Sequence, residues 1–218
     1  MNTALHTPMP SLRSACAGWL SVCLLATVAA FAAPQAQAAD REIAGVKVAQ
    51  SLKLSGKSLE LNGVGLRYRG PFKVYAAALY TARKVDSTED FHAETGAKRM
   101  EITMLREVDS TEMGRMFING ILKNTSAGAQ GKLLPDVARM GEIFAAHKRL
   151  MPGEQLVIDW LPAQGMQITV RGKVQGEIFK SPEFFGALMN IWLGKSPADW
   201  QLKDALLGKS ETDRIAKL

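Results

Sequence analysis

Arg67 is the residue whose type and position most strongly suggest chemistry. It follows two glycines in a segment that otherwise has the character of a buried strand, Leu61-Asn62-Gly63-Val64-Gly65-Leu66-Arg67-Tyr68. Arginine keeps its charge in proteins, so a guanidinium that points inward requires an anionic partner. A ligand carboxylate, phenolate or enolate would fit its planar set of donors. The alternative is that Arg67 pairs with an acid of the protein or faces solvent.

The other residue types that carry chemistry form no recognisable site in the sequence. The only cysteines, Cys16 and Cys23, precede residue 40, and there is no Gly-x-Ser-x-Gly nucleophile motif. A Ser, His and Asp triad stays open, because its members need not be close in sequence. His92 and His147 belong to no cluster with metal-ligand spacing. We therefore expect no metal and no cofactor, although His147 could serve as an axial haem ligand.

The first 39 residues differ in composition from the remainder. They contain a single Lys or Arg residue, Arg13, and no acid, and an apolar run is followed by Ala36-Gln37-Ala38. This pattern is typical of an export signal with a small-x-small cleavage site. We expect residues 1–39 to be a cleaved signal peptide and residues 40–218 to form one soluble periplasmic domain without a membrane anchor. The alternative is an uncleaved N-terminal anchor.

The charges of the chain favour anionic partners only weakly. Lys and Arg number 27 against 21 Asp and Glu, which gives a formal net charge of +6. The basic residues occur singly or in pairs such as Lys98/Arg99 and Lys148/Arg149, with acids between them. A nucleic-acid-binding surface requires a basic stripe or run, so we expect no nucleic-acid partner.

Hydrophobic periodicity changes several times between the two-residue repeat of strands and the 3.6-residue repeat of helices. Strands are predicted at 43–48, 58–61, 64–68, 72–82, 98–106, 155–161, 167–171 and 173–179. Gly56-Lys57 and Asn62-Gly63 are turn signals, and Asn-Gly is the strongest short hairpin signal. Helices are predicted to begin at Asp109, Asp136, Ser181 and Ser196. This order predicts an α+β domain with an antiparallel sheet and helices on one face.

Two segments resemble the chalcone isomerases. Asn62-Gly63-x-Gly65-x-Arg67, followed by Lys73-Val74-Tyr75 through Tyr80, resembles the Gly-x-Arg and Lys-x-Thr-x-x-x-x-Tyr strand pair of that family. Phe184-Phe185-x-x-Leu188-x-x-Ile191-Trp192-Leu193-Gly194, followed by Leu206-Leu207-Gly208, resembles the ending of the bacterial, secreted chalcone isomerase-like branch. The resemblance extends over nearly the whole chain after residue 43. It implies an open-faced β-sandwich, in which a curved antiparallel sheet carries helices on one face.

The resemblance also implies where catalytic residues would lie. The plant enzymes close a chalcone into a flavanone by intramolecular addition of a phenolate to an enone. Arg67 corresponds to their arginine, and Tyr75 stands where a threonine is expected. Their tyrosine aligns with Met113, which has no hydroxyl, and their asparagine has a counterpart only if Asn119 is shifted by one residue. Losing one donor of such a network costs about 2.7–4 kcal/mol, so we expect the plant activity to be absent, with Arg67, Tyr75 and Asn119 as candidates for any remaining catalysis.

Other branches of the fold resemble fatty-acid-binding proteins, in which the arginine holds a carboxylate and an apolar cleft takes the tail. By this resemblance the residues predicted to bind a ligand are Arg67, Tyr75, Met104, Met113, Phe117 and Asn119. Ala76, Ala78 and Met116 complete the predicted apolar lining. Flexible methionine side chains suit an adaptable pocket, and they suit an ordinary core equally well.

Three hypotheses follow for the function. The first is a periplasmic binder or carrier of an apolar small-molecule acid, with Arg67 as the anion clamp and Tyr75 and Asn119 as secondary polar contacts. The second is an isomerase acting on an enone, with Arg67 as electrophilic stabiliser and Tyr75 as donor. The third is a structural or assembly factor whose cleft is filled by its own side chains.

Overall fold

The computed structural model describes residues 40–209. The strands within this range are β1 (Arg41–Ile43), β2 (Val46–Val48), β3 (Ser51–Leu54), β4 (Lys57–Arg69), β5 (Phe72–Thr81), β6 (Lys98–Met104), β7 (Val108–Asp109), β8 (Arg149–Leu150), β9 (Gln155–Leu161), β10 (Gly165–Val170) and β11 (Lys173–Phe179). The helices are α1 (Thr88–Ala93), α2 (Ser110–Lys123), α3 (Ala127–Ala145), α4 (Pro182–Leu193) and α5 (Trp200–Leu206). None of these helices is long and apolar enough to cross a bilayer. The predicted signal peptide, residues 1–39, lies outside the described residues.

Seven strands form one antiparallel sheet in the order β11-β10-β9-β6-β5-β4-β3. Most neighbours in the sheet are also consecutive in the chain. The exception is the pairing of β6 with β9, which joins the strands before the α2–α3 pair to those after it. Two further antiparallel pairs, β1 with β2 and β7 with β8, stand apart from this sheet. The predicted α+β class with an antiparallel sheet is confirmed.

The two faces of the sheet are covered differently. On one face, Tyr75, Ala77 and Leu79 of β5 belong to the main hydrophobic core together with residues of α2, α3, α4 and α5. On the other face, Ala78 and Tyr80 join a smaller cluster with residues of β2, β3 and β4. This alternation is the two-residue repeat of a strand that is buried on both sides. The layer of helices over one face confirms the open-faced arrangement.

Several elements begin where local signals predict them. Asp109 is the N-cap of α2, and its carboxylate accepts a hydrogen bond from the backbone N–H of Glu112 at 2.9 Å. Ser181 caps α4 in the same way, accepting from the N–H of Phe184 at 3.0 Å, and Pro182 takes the first helical position. These side chains satisfy N–H groups that have no partner within their helix. The later predicted strands, 72–82, 98–106, 155–161, 167–171 and 173–179, are confirmed as β5, β6, β9, β10 and β11 with small differences at their ends.

The predicted hairpin at Asn62-Gly63 is wrong. The strands predicted on either side of it, 58–61 and 64–68, are parts of one continuous strand, β4, whose pairing with β5 shifts register at this place. The first predicted strand, 43–48, is divided into β1 and β2 by a turn. The turn signal at Gly56 is confirmed, because this residue lies between β3 and β4 with a φ of 78°.

Asn62 and Gly63 serve tertiary packing, which is why the strand continues through them. The buried Asn62 amide donates from Nδ2 to the carbonyl oxygens of Val85 (2.9 Å) and Leu206 (2.7 Å). Its Oδ1 accepts from the N–H of Val85 at 2.8 Å. A Cβ on Gly63 would overlap the carbonyl oxygen of Ala205 and lie 2.6 Å from that of Leu206. The amide and the missing Cβ therefore hold α5 directly against β4.

The helix predicted to begin at Asp136 begins earlier. Helix α3 starts at Ala127 and contains Pro135 in its interior. Proline is disfavoured there because it lacks an N–H and its ring crowds the carbonyl four residues before it. The helix continues because it buries residues on both sides of the proline, including Leu133 and Val137.

The helix predicted to begin at Ser196 also starts elsewhere. Asp199 is the N-cap of α5, and its Oδ1 accepts from the N–H groups of Gln201 (2.9 Å) and Leu202 (3.2 Å). The backbone of Ser196 is instead bound by the Asn124 side chain, which accepts from its N–H at 2.8 Å and donates to its carbonyl at 3.0 Å. The side chain that caps the helix, and not the Ser-Pro pair, decides where the helix starts.

Candidate functional site

A cavity of about 810 Å³ opens between the β4–β5 hairpin, helix α2 and the segment that precedes α5. Five of the six residues predicted to bind a ligand line it: Arg67, Tyr75, Met113, Phe117 and Asn119. Met116, predicted as further lining, lies there too. The fold therefore brings most of the predicted ligand-binding residues to one cavity, although they belong to three different elements.

The remaining predicted residues lie elsewhere. Met104 is buried on β6, where it pairs with Tyr75 across the sheet, and it does not line the cavity. Ala76 and Ala78 face a small cleft under β2 on the other side of the sheet. Alternate residues of a strand point to opposite faces, so these two alanines cannot share a wall with Tyr75.

Arg67 lies at the edge of the cavity and contacts Asp199. Its Nη1 donates to the carbonyl oxygen of Tyr68 and lies 3.4 Å from Oδ2 of Asp199. The same Oδ2 accepts from the backbone N–H of Tyr68 at 3.1 Å. Charge-assisted N–H···O bonds are typically about 2.7–2.9 Å, so this ion pair is long. The two side chains are 23% and 12% exposed. Arg67 therefore has an acidic partner within the protein, which the sequence left open, and Arg67 itself lines the cavity.

Tyr75 is buried at the inner end of the cavity. Its hydroxyl oxygen accepts a hydrogen bond from Nε1 of Trp192 at 2.9 Å. Burial raises the pKa of Tyr75 to about 12, although the Trp192 hydrogen bond and the charge of Arg67 both act to lower it. The phenol is therefore neutral at physiological pH, and its O–H is available to donate.

The inner walls of the cavity are apolar. Met113 and Phe117 of α2 and Ile191 of α4 contribute to them, and all three are buried. The Phe117 ring stands edge-on to Trp192 with 5.2 Å between the ring centroids, and edge-on to Phe144 at 5.1 Å. Packed aromatic rings hold one another in place, so this wall is preformed.

The mouth of the cavity is charged. Arg69 and Glu112 form an exposed ion pair with 2.5 Å between Nη1 and Oε1. The Arg106 guanidinium lies over the Phe72 ring, 5.0 Å from its centroid. Asn119 is exposed on α2 at the same opening. Polar groups thus surround an entrance to an apolar interior.

The pairing of Arg67 with Asp199 follows from how α5 lies along β4. The end of the helix is fixed at Asn62, whose amide binds the carbonyl of Leu206. Gly65, two residues further along the strand, leaves room for the Ala205 side chain, which would lie 2.7 Å from an added Cβ. The start of the helix therefore arrives beside Arg67, and it brings the capping Asp199 carboxylate with it.

A profile of the family described as chalcone isomerase-like matches residues 39–208. The chain belongs to this family. Among solved structures, a fatty-acid binding protein of Arabidopsis thaliana is similar, with a TM-score of 0.56 and 15% sequence identity over 75% of this chain and 92% of that one. A likeness at this identity shows the fold alone. No curated protein matches the sequence.

Within this chalcone isomerase-like chain, Met113 is the position that bears most on catalysis. The sequence resemblance aligns it with the catalytic tyrosine of the plant enzymes. Its side chain is fully buried in the cavity wall, and it offers a thioether instead of an O–H donor.

Asp199 and Trp192 carry no local sequence signal that marks them as site residues. An Asp directly before Trp200-Gln201-Leu202 is itself an N-cap signal and would have placed α5 correctly. The bond from Trp192 to Tyr75 joins residues 117 positions apart. No local pattern signals such a contact.

The histidines within the described residues bind amides. His92 Nε2 lies 2.9 Å from Oδ1 of Asn190, and His147 Nε2 lies 3.1 Å from Oε1 of Gln175. Across residues 40–209, no group of three or more His, Cys, Asp or Glu side chains is arranged to hold a metal.

Proposed function

We propose that this chalcone isomerase-like protein binds and carries an apolar carboxylic acid, such as a fatty acid. The observation that carries the proposal is the space of about 810 Å³ beside Arg67, a guanidinium whose contact with Asp199 is 3.4 Å long. Small-molecule sites typically enclose about 300–1,000 Å³. The similar Arabidopsis thaliana structure is that of a fatty-acid binding protein, which supports the same class of ligand.

Arg67 acts as the anion clamp for the carboxylate. Its hydrogen bonds to Tyr68 and Asp199 both use Nη1. The edge formed by Nε–H and Nη2 is the side on which a carboxylate can form two parallel hydrogen bonds. Tyr75, whose pKa of about 12 keeps it protonated, donates to the same carboxylate. Asn119 supplies a further polar contact at the opening.

The tail of the acid occupies the apolar interior. Met113, Phe117 and Ile191 provide its walls, and Met116 lies partly exposed beside them. Burial of apolar surface contributes roughly 25 cal/mol per Å², so the tail supplies most of the affinity and Arg67 supplies the preference for an acid. A flexible thioether at Met116 can adapt to tails of different shape.

Binding is favoured over isomerisation because of Met113. Ring closure of an enone develops enolate charge, which needs a network of O–H and N–H donors to stabilise it. A thioether at Met113 provides no donor, and removal of one donor costs about 2.7–4 kcal/mol. Arg67 and Tyr75 remain, and two donors are enough to hold a carboxylate that is already charged.

We propose that this carrier is periplasmic, because residues 1–39 have a single Lys or Arg residue, an apolar run and Ala36-Gln37-Ala38. N-terminal sequencing of the mature protein from a periplasmic extract tests this. A mature N-terminus at or next to residue 40 is expected. Full-length protein retained in the cytoplasm would contradict the location without affecting the binding proposal.

Native mass spectrometry of the protein purified from its host envelope tests for a ligand directly. The expected result is an added mass in the range of a fatty acid, which is released on denaturation. Absence of any added mass, together with no uptake of palmitate by the delipidated protein, would favour a structural or assembly role. Turnover of a chalcone-like enone that disappears in Arg67→Ala would favour the isomerase.

Separate substitutions of Arg67 and Arg69 distinguish specific binding of the carboxylate by Arg67 from a general effect of positive charge. Arg67→Ala should weaken palmitate binding about 10-fold or more, because charged hydrogen bonds contribute about 1.5–3 kcal/mol. Arg69→Ala should change it less than about 3-fold, because Arg69 lies in an exposed pair with Glu112. Equal effects would contradict a specific role for Arg67.

A further inference from the structure

The tip of the β4–β5 hairpin presents an exposed aromatic ring at the mouth of the cavity. Phe72 is 59% exposed, and the Arg106 guanidinium lies over its ring at 5.0 Å. Gly70 and Pro71 form the turn beside it, and both are also exposed. A ring held outward in this way gains nothing from the protein core.

A second exposed aromatic residue lies beside the same end of β4. Trp200, the first residue of α5, is 60% exposed, and the Lys203 ammonium lies 5.3 Å from the centroid of its ring system. The preceding residue, Asp199, binds the backbone N–H of Tyr68 at 3.1 Å. Tyr68 and Arg69 precede the hairpin turn directly, and Arg69 pairs with Phe72 across it. Both aromatic residues are thus tied to one end of the hairpin.

The surface around these two residues is positive. The segment from residue 67 to residue 73 carries three cations, Arg67, Arg69 and Lys73, and no acid. Within residues 40–209, Lys73 and Arg106 have no acidic partner, whereas the nearby Glu112 and Glu107 are paired with Arg69 and Arg149. Among the same residues, Asp109 also lines the cavity without an ion pair, but its carboxylate caps α2 by accepting from the N–H of Glu112. At the hairpin tip and Arg106 the unpaired charge is therefore cationic.

We propose that the docking surface formed by Phe72, Trp200, Lys73 and Arg106 binds the surface of an anionic lipid bilayer. Aromatic side chains are enriched where a protein meets the interface of a membrane, and clustered Lys and Arg residues are attracted to anionic lipids. Binding through the tip of the β4–β5 hairpin and the first residue of α5 is reversible. It orients the mouth of the cavity towards the lipid. The role of this docking, which is the transfer of an acid between bilayer and cavity, rests on the proposed function. The docking itself does not.

The test uses vesicles of phosphatidylglycerol mixed with phosphatidylcholine, and vesicles of phosphatidylcholine alone, with the mature protein free of fatty acid. Co-sedimentation should occur with the anionic vesicles and fall as salt is added. Trp200 is the exposed one of the three tryptophans within the described residues, so its fluorescence should shift to shorter wavelength on binding. Equal binding to both kinds of vesicle, or binding to neither, would overturn the proposal.

Matched variants locate the surface. Lys73→Gln with Arg106→Gln should weaken binding to anionic vesicles about 25-fold, since each cation near such a surface contributes roughly five-fold. Lys47→Gln with Lys53→Gln, which removes two exposed charges on β2 and β3, should weaken it much less. Equal losses would show attraction by net charge alone and would overturn the docking surface.

The aromatic residues have their own control. Phe72→Ser with Trp200→Ser should abolish detectable vesicle binding, while Leu134→Ser, at 58% exposure on α3, should leave it unchanged. If the surface instead joins two copies of the chain, the aromatic variant will lower the mass measured in solution and vesicles will not bind, which overturns the proposal. Palmitate binding measured without vesicles should be intact in Trp200→Ser, because Trp200 does not line the cavity, so a failure here is distinct from a failure of the carrier function.

Discussion

Arg67 and Asp199 join the outer end of β4 to the start of α5 through one contact, with 3.4 Å between Nη1 and Oδ2. The Asp199 carboxylate is held independently of Arg67, because it accepts from the backbone N–H groups of Tyr68, Gln201 and Leu202. In the absence of a ligand it neutralises part of the arginine charge. A ligand carboxylate would have to compete with it, so Asp199 sets how strongly the site prefers an acid.

Asp199→Asn should therefore raise the affinity for palmitate about five-fold. Asparagine keeps the side-chain oxygen that caps α5, and it is as good an N-cap residue as aspartate, although its Nδ2 cannot accept from the N–H of Tyr68 as Oδ2 does. It removes the negative charge that competes for Arg67, and a partly exposed ion pair of this kind is worth up to about 1 kcal/mol. The measurement is displacement of a fluorescent fatty acid by palmitate.

Asp204→Asn is the matched control for this substitution. Asp204 lies on the same helix and pairs with Lys209 at 3.2 Å, and it does not line the cavity. The control should leave the affinity for palmitate unchanged. A loss of affinity in Asp199→Asn would show that Asp199 supports the site by orienting Arg67 rather than by competing for it.

Asn62→Ala should lower the free energy of unfolding by about 3 kcal/mol. The buried amide makes three hydrogen bonds, two with Val85 and one with Leu206, and its loss leaves their backbone groups unsatisfied. Asn119→Ala, an exposed site on α2, should change stability by less than about 0.5 kcal/mol. Urea unfolding followed by circular dichroism measures both, and similar values would contradict the role given to Asn62.

Gly63→Ala should also destabilise the protein by about 3 kcal/mol, because the new methyl group would meet the backbone carbonyls of Ala205 and Leu206. Backbone atoms cannot rotate away as side chains do, so α5 must shift and take Asp199 with it. Gly141→Ala in α3 meets nothing within 4 Å and should stabilise by up to about 1 kcal/mol. Thermal unfolding of the two variants checks the opposite signs, and a neutral Gly63→Ala would refute the close packing.

Tyr75 should make the stability depend on pH in the alkaline range. Its pKa is raised by burial from 10.0 to about 12, so the folded state favours the protonated phenol. The stability that this provides is complete below pH 10.0 and is lost as pH rises towards about 12. Between pH of about 9 and about 11, wild type should lose about 1 kcal/mol more than Tyr75→Phe.

Titration of Tyr80 does not affect the comparison of wild type with Tyr75→Phe. Burial also raises the pKa of Tyr80, but this residue is present in both proteins and cancels in the difference. The free energy of unfolding in urea at each pH gives the result. Parallel pH profiles of wild type and Tyr75→Phe would show that the Tyr75 hydroxyl is not held protonated by the fold.

The sequence predicts the strands and helices well where one local rule acts alone. The later strands alternate regularly, and the Asp109 and Ser181 caps decide where α2 and α4 begin. The errors occur where a tertiary contact uses the same residue types. Asn62-Gly63 has the composition of a turn, yet the amide binds the end of a helix 144 residues away. A single sequence contains no sign of which of these two uses applies.

The residues of the candidate site also divide into those that the sequence predicts and those that depend on tertiary contacts. Arg67, Tyr75, Met113, Phe117 and Asn119 could be named from the resemblance of their motifs to those of a known family, and they line one cavity. Met104 could not be separated from them, because the strand repeat gives its face but not its depth in the core. The N-cap role of Asp199 could not be recognised, because the neighbouring Ser196-Pro197 pair also has the pattern of a helix start, although no helix starts there.

The central claim is that the Arg67 guanidinium recognises the carboxylate of an apolar ligand. The most direct test compares palmitate with hexadecanol, which has the same tail and no charge, in wild type and in Arg67→Met. Wild type should bind palmitate about 10- to 100-fold more tightly than hexadecanol, as expected for charged hydrogen bonds of about 1.5–3 kcal/mol. Arg67→Met should bind the two alike. A preference for palmitate that survives in Arg67→Met would contradict the account.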